Sequence, residues 1–107
     1  MVHTLLIYQR SDGSSPFESW LKSLKDEQGR AIIRARLERV ELGNLGNSRS
    51  LGGGVFELKI HYGPGYRLYF GCDGPKIVVL LCGGDKSSQK RDITKAKVLW
   101  EEYKKCQ

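Results

Sequence analysis

Five side chains in the second half of the sequence are of types that can move protons or hold a phosphate, and they recur at alternate positions. Glu57, Lys59 and His61 lie two apart, as do Arg67 and Tyr69. Such alternation puts residues on one face of an extended strand, and directly opposed side chains on neighbouring strands lie about 5 Å apart. Cations at that spacing can bracket one phosphate, Arg67 with a two-donor fork and Lys59 as a point charge. His61 and Glu57 are the usual acid and base types. Cleavage of RNA through its 2′-OH needs three groups: one to take the hydroxyl proton, positive charge on the developing phosphorane, and an acid for the departing 5′ oxygen. This set can supply all three without a metal or other cofactor, and Tyr69 can serve as a platform for a base. Two histidines, with no His-x-x-x-His pair and no clustered carboxylates, disfavour a metal nuclease. A solvated sheet face of mixed charge is the plainer alternative, ordinary in a small antiparallel sheet.

The elements that must position these residues read in the order β-α-α-β-β-β-α. Val2–Tyr8 is short and β-rich. Ser15 can cap a helix with Pro16 at its first position and Glu18 three residues past the cap, and Phe17, Trp20, Leu21 and Leu24 form its apolar face. Asp26 can cap a second helix with a stripe of Ile33, Leu37 and Val40, closed by Gly43. The two make a helical hairpin. The glycine-rich stretch from Gly43 to Gly54 reads as a connector, because Gly52-Gly53-Gly54 lacks the residues and context of a phosphate loop. Val55–Tyr62 and Tyr66–Cys72 alternate, each with its apolar side chains at even positions. A three-residue loop centred on Pro64 keeps that parity, setting His61 opposite Arg67 and Lys59 opposite Tyr69. Glu57, Lys59, His61, Arg67 and Tyr69 then share one polar surface. Lys76–Cys82 is apolar on both faces and so belongs at the centre of the sheet. Asp92 or Thr94 caps a last helix, with Ile93, Ala96, Trp100 and Tyr103 as its stripe.

The sequence has 107 residues, with 18 Lys and Arg against 12 Asp and Glu, a formal net charge of +6. That length predicts one domain over residues 1–107. The longest apolar run, Ile77–Cys82, is far short of the roughly 18–20 residues of a membrane span. The N-terminus lacks the basic segment of a signal peptide, so the expected location is the cytoplasm, with no membrane partner. Cys72, Cys82 and Cys106 are odd in number and show no metal-site spacing; the first two read as small apolar residues of strands. Residues 83–97 hold five basic and two acidic side chains, a local excess suited to a polyanionic partner.

Three runs carry a family resemblance: Gly54-Val55-Phe56-Glu57-Leu58-Lys59-Ile60, then Gly65-Tyr66-Arg67-Leu68-Tyr69-Phe70, and Leu81-Cys82-Gly83-Gly84-Asp85-Lys86-Ser87-Ser88-Gln89-Lys90-Arg91-Asp92-Ile93. Together with Arg34-Ala35-Arg36-Leu37, they resemble the RelE/ParE superfamily of toxin–antitoxin systems, in its HigB-like, phage-derived Gp49-like subgroup. The resemblance implies an α+β, RelE-like domain and a toxin that cleaves mRNA on the ribosome. It also implies a cognate helix-turn-helix antitoxin, through which the complex would meet operator DNA. By the same resemblance, Arg67, Lys59 and Lys86 are the catalytic candidates, and Gln89, with Lys90 and Arg91 extending its loop, would bind RNA. His61, at a position the family does not fix, is an outside catalytic candidate and Tyr69 an RNA-stacking one on their chemistry alone. Lys59 stands where the family usually shows arginine, keeping the charge but not the fork. Two other readings stay open: a ParE-like gyrase poison, and a non-catalytic relative that only binds an antitoxin.

Overall fold

The Ser15-Pro16 pair and Asp26 open the first two helices as the sequence predicts. In the computed structural model, which describes residues 2–106, the elements are β1 (Thr4–Ile7), α1 (Pro16–Ser23), α2 (Glu27–Glu41), β2 (Ser48–Gly52), β3 (Val55–Ile60), β4 (Tyr66–Asp73), β5 (Ile77–Gly84) and α3 (Gln89–Lys105), with one 3-10 turn at Lys86–Ser88. Met1 and Gln107, the ends of the expected 1–107 domain, lie outside the described residues. Ser15 Oγ accepts from Glu18 N at 3.3 Å and Asp26 Oδ1 from Gly29 N at 2.9 Å. Such caps contribute about 1 kcal/mol each. At the far end of α2, Gly43 has φ of 97°, its N–H bonds Val40 O, and Asn44 N bonds Arg39 O. That is the paired closure a left-handed glycine permits.

The fold is mixed α+β. Five strands form one sheet in the order β1-β5-β4-β3-β2, in which β1 runs parallel to β5 and every other pair is antiparallel. β5 is therefore an interior strand between β1 and β4, next to the central β4, as its apolar run requires. Strand pleating sorts the core into two layers. On one face Leu58, Ile60, Tyr66, Leu68, Phe70 and Leu80 meet Phe17 and Leu21 of α1 and Ile33 and Val40 of α2. On the other, Val55, Tyr69, Val79, Leu81 and Cys82 meet Ala96, Leu99 and Trp100 of α3. Leu81 and Cys82 share a face because a bulge interrupts the β4–β5 register between Tyr69 and Phe70. Gly83 and Gly84 let both layers close on the backbone. A Cβ at Gly83 would enter the ring of Trp20, and one at Gly84 would strike the Asp92 carboxylate. The radius of gyration, 12.8 Å, matches the roughly 13 Å of a compact chain this long. Among the described residues, no helix is long and apolar enough to cross a membrane.

Four expectations need correction. The stretch from Gly43 to Gly54 is not all connector: Ser48–Gly52 forms β2, an edge strand on β3. It turns at Gly53-Gly54, whose φ values of 66° and 86° suit a two-residue hairpin. The β3–β4 register is displaced by two residues. Lys59 faces Arg67, and Glu57 faces Tyr69. His61 falls beyond the strand, in a loop where Tyr62 stacks on Tyr66 at 6.3 Å and Gly65 N bonds Tyr62 O. A slip of two preserves parity, so the predicted face is kept while the partners change. α3 begins earlier than expected: Asp92 does not cap it but lies buried in its first turn, taking the Ser88 hydroxyl, while Asp85 caps the preceding 3-10 turn. Finally, Cys72 is exposed near the end of β4, and only Cys82 fills the core, where burial pushes its thiol up to about 12.

Candidate active site

The residue types singled out by their spacing meet where β2, β3, β4 and the start of α3 converge. The β3–β4 ladder opposes Lys59 to Arg67 and Glu57 to Tyr69, and the β2–β3 ladder opposes Arg49 to Glu57. The first turn of α3 brings Gln89 over the same face. Between them lies a cavity of about 300 Å³, lined by Arg49, Glu57, Lys59, His61, Arg67 and Gln89, with Asn47 and Ser48 at its β2 rim. Three basic side chains, Arg49, Lys59 and Arg67, face one carboxylate there, so the cavity suits an anion.

Glu57 is the hub, at 3% exposure. Its Oε1 accepts from Arg49 Nε at 2.9 Å; its Oε2 accepts from Gln89 Nε2 at 2.9 Å and from the Tyr69 hydroxyl at 3.1 Å. Arg67 Nε stands 3.8 Å from Oε2, close enough for an ion pair but not a hydrogen bond. Burial alone would raise the Glu57 pKa, yet the bonds from Gln89, Arg49 and Tyr69 outweigh it and hold the carboxyl below its ordinary value. Burial, reinforced by the Glu57 charge, pushes the Tyr69 phenol well up. Three donors thus hold the carboxylate, which suits it to holding neighbours rather than taking a proton.

The cations differ in what they offer. Arg67 is 5% exposed, and its Nη1 donates to Gly65 O at 2.6 Å. Lys59 is half-buried at the cavity wall, with no ionic partner among the described residues. Arg49 has 61% of its side chain exposed and spends only Nε on Glu57. His61 is exposed, and its Nε2 lies 2.7 Å from Asn47 Nδ2.

Of the residues predicted from sequence, Lys59, His61, Arg67 and Gln89 come together in this cavity. Lys86 does not: it lies with Lys90 and Arg91 along a neighbouring depression that shares only Gln89 with the first. Lys86 N bonds Pro64 O at 3.3 Å, which fixes that basic turn beside the β3–β4 loop. Tyr69 is fully buried under α3 and has no ring face to offer a base. The predicted polar surface is in this part an interior layer. Sequence reasoning missed Arg49, Asn47 and Ser48 as site residues. The signal was the Gly-Gly pair between Ser48-Arg49-Ser50-Leu51 and Val55, a two-residue hairpin pattern.

Two comparisons bear on this arrangement. Residues 19–101 match the family model described as phage derived protein Gp49-like (DUF891). An uncharacterized protein of Haemophilus influenzae is 48% identical over 86 residues, 80% of this chain and 87% of that protein. The family match takes in the strands and the helix start that line the cavity.

Proposed function

Since the chain belongs to the phage-derived Gp49-like family, which is associated with toxin–antitoxin modules, we propose that it is the toxin of such a module and an endoribonuclease that cleaves mRNA on the ribosome. We read residues 1–107 as one RelE/ParE-type, HigB-like domain acting in the cytoplasm, restrained by a helix-turn-helix antitoxin that would also carry the complex to operator DNA. The observation that supports this most is the cavity itself, where Arg49, Lys59 and Arg67 line one wall system with an accessible imidazole at its rim.

In the reaction the 2′ oxygen bonds to phosphorus and the bond from phosphorus to the 5′ oxygen breaks. A 2′,3′-cyclic phosphate and a 5′-hydroxyl result. His61 is the proton carrier for the 2′-hydroxyl, exchanging its contact with Asn47 for the substrate hydroxyl, because three donors already hold Glu57. Lys59 places its ammonium on the phosphorane and is the group able to return a proton to the leaving 5′ oxygen. Arg67, sealed in by Glu57 and Gly65, adds fixed positive charge from the floor. The basic turn at Lys86, Lys90 and Arg91 lies beside the loop that bears His61 and would hold the flanking backbone.

The test is brief expression without an antitoxin, followed by mapping of mRNA ends. Cuts within translated messages bearing 5′-hydroxyls, abolished by Lys59→Ala and by His61→Ala in folded protein, are the expected result. A DNA-damage response without cuts would point to a gyrase poison, and antitoxin binding without toxicity to a non-catalytic relative; either would overturn the reading.

A further inference from the structure

Arg67 is the arginine that sequence and resemblance single out, but its surroundings leave it little freedom to grip a ligand. Its side chain is 6% exposed, and Nη1 is committed to the Gly65 carbonyl. Lys59 contributes a point charge without directional pairing. The cavity therefore needs its fork from elsewhere, and Arg49 has one. A guanidinium carries five N–H donors; Arg49 gives Nε to Glu57 and keeps the four on its two Nη nitrogens.

Its aim is fixed from below. Arg49 and Glu57 are direct partners across the β2–β3 ladder, so the two side chains start from opposed positions on one face. Glu57 is itself held by Tyr69 and Gln89, two neutral donors from β4 and α3. A carboxylate held by both donors gives Arg49 Nε a fixed acceptor beside the cavity that Arg49 lines. Ordering a long side chain before the ligand arrives removes much of the entropy cost of binding.

We infer that Arg49 is a substrate-binding residue that takes a phosphate of single-stranded RNA in a two-donor grip, and that Glu57 is its positioning residue. This rests on the ribonuclease reading above and assigns the main phosphate contact of that site to an edge strand instead of to Arg67.

The experiment measures binding of a short 2′-O-methyl oligoribonucleotide, which cannot be cleaved, over a salt series. Arg49→Ala should weaken binding by about tenfold or more and make the slope of log affinity against log salt shallower by about 0.7, one phosphate contact on a single strand. Arg49→Lys should keep the slope without recovering the affinity. Arg39→Ala, an exposed cation of α2 outside the cavity, should match the wild type. Glu57→Gln should weaken binding although Arg49 is present, and adding Arg49→Ala to it should cost far less than in the wild type. If Arg49→Ala leaves slope and affinity unchanged while the wild type binds, Arg49 is not the phosphate ligand and the ribonuclease reading stands. Additive losses from Glu57 and Arg49 would refute the positioning role. A wild type that shows no salt-dependent RNA binding would remove both readings.

Discussion

Replacing Glu57 by alanine removes one carboxylate and strands the groups that converge on it, and their burial decides the cost. Tyr69 is fully buried, so its hydroxyl would lose its acceptor without reaching water, at about 1–3 kcal/mol. Arg67, 5% exposed, would become a buried cation without its counter-charge; breaking such a pair from one side costs about 3–5 kcal/mol. Arg49 and the amide of Gln89 reach solvent at the cavity, so their loss adds little. Because Tyr69 and Arg67 share the same oxygen, the two costs overlap, and we expect about 4–6 kcal/mol in all. Domains of this size have roughly 5–15 kcal/mol to lose, so Glu57→Ala should leave a marginal fold. Glu57→Gln keeps the shape and one acceptor oxygen but turns an amide NH2 toward donors, and should lose about 2–3 kcal/mol. Urea unfolding followed by tryptophan fluorescence reads both, since Trp20 and Trp100 sit on opposite faces of the sheet. The reasoning is refuted if Glu57→Ala lowers stability by less than about 1 kcal/mol at unchanged m value, for then the hub is not carrying its neighbours.

The same carboxylate sets a pH dependence. Its folded pKa lies below the ordinary glutamate value, so its contribution is complete above the unfolded pKa, about 4.3, and is lost as pH falls through the folded one. Stability of the wild type should decline on acidification from about pH 5, and Glu57→Gln should flatten that decline, as pH-series unfolding would show. Gly83→Ala should destabilise by about 1–3 kcal/mol in thermal unfolding, because the methyl group meets the Trp20 ring. Smaller partners should ease this, so pairing it with Trp20→Leu is expected to cost less than the sum of the two. Thiol labelling of native protein should modify Cys72 and Cys106 quickly and Cys82 only after unfolding, counted by mass. Arg67→Ala should abolish growth arrest, yet with a large loss of stability, so its soluble fraction must be measured alongside.

Much of the fold was legible because local rules and tertiary packing agree. Ser15, Pro16 and Asp26 start helices for reasons internal to a few residues, and the alternation of Phe56–Ile60 and Tyr66–Phe70 survives any slip of two. β2 was harder to see. Ser48-Arg49-Ser50 has little intrinsic strand preference and exists as a strand because β3 supplies the ladder. The start of α3 was obscured by several capping residues in one short run, Asp85, Ser88, Asp92 and Thr94. The choice among them is made by contact across the sheet, where Asp92 tucks against Gly84. For the site, alternation located the face but could not say whether it was covered. A strand with polar odd positions looks the same whether those residues meet water or, like Glu57, Arg67 and Tyr69, satisfy one another beneath a helix.

The parallel pairing of β1 with β5 imposes an order of assembly. Thr4 finds its ladder partner at Ile77, about seventy residues later in the chain, and contacts of that range form late. α1 is in the same position, since Trp20 comes to rest on Gly83. The first strand and the helical hairpin are therefore synthesised well before the strand that gives them a place. The clamp on Glu57 also needs Gln89, which follows β5 in the chain. A nascent chain that has not passed that point cannot present its cations as one arrangement. The cavity draws its lining from β2 through the first turn of α3, so no shorter stretch of chain can complete it.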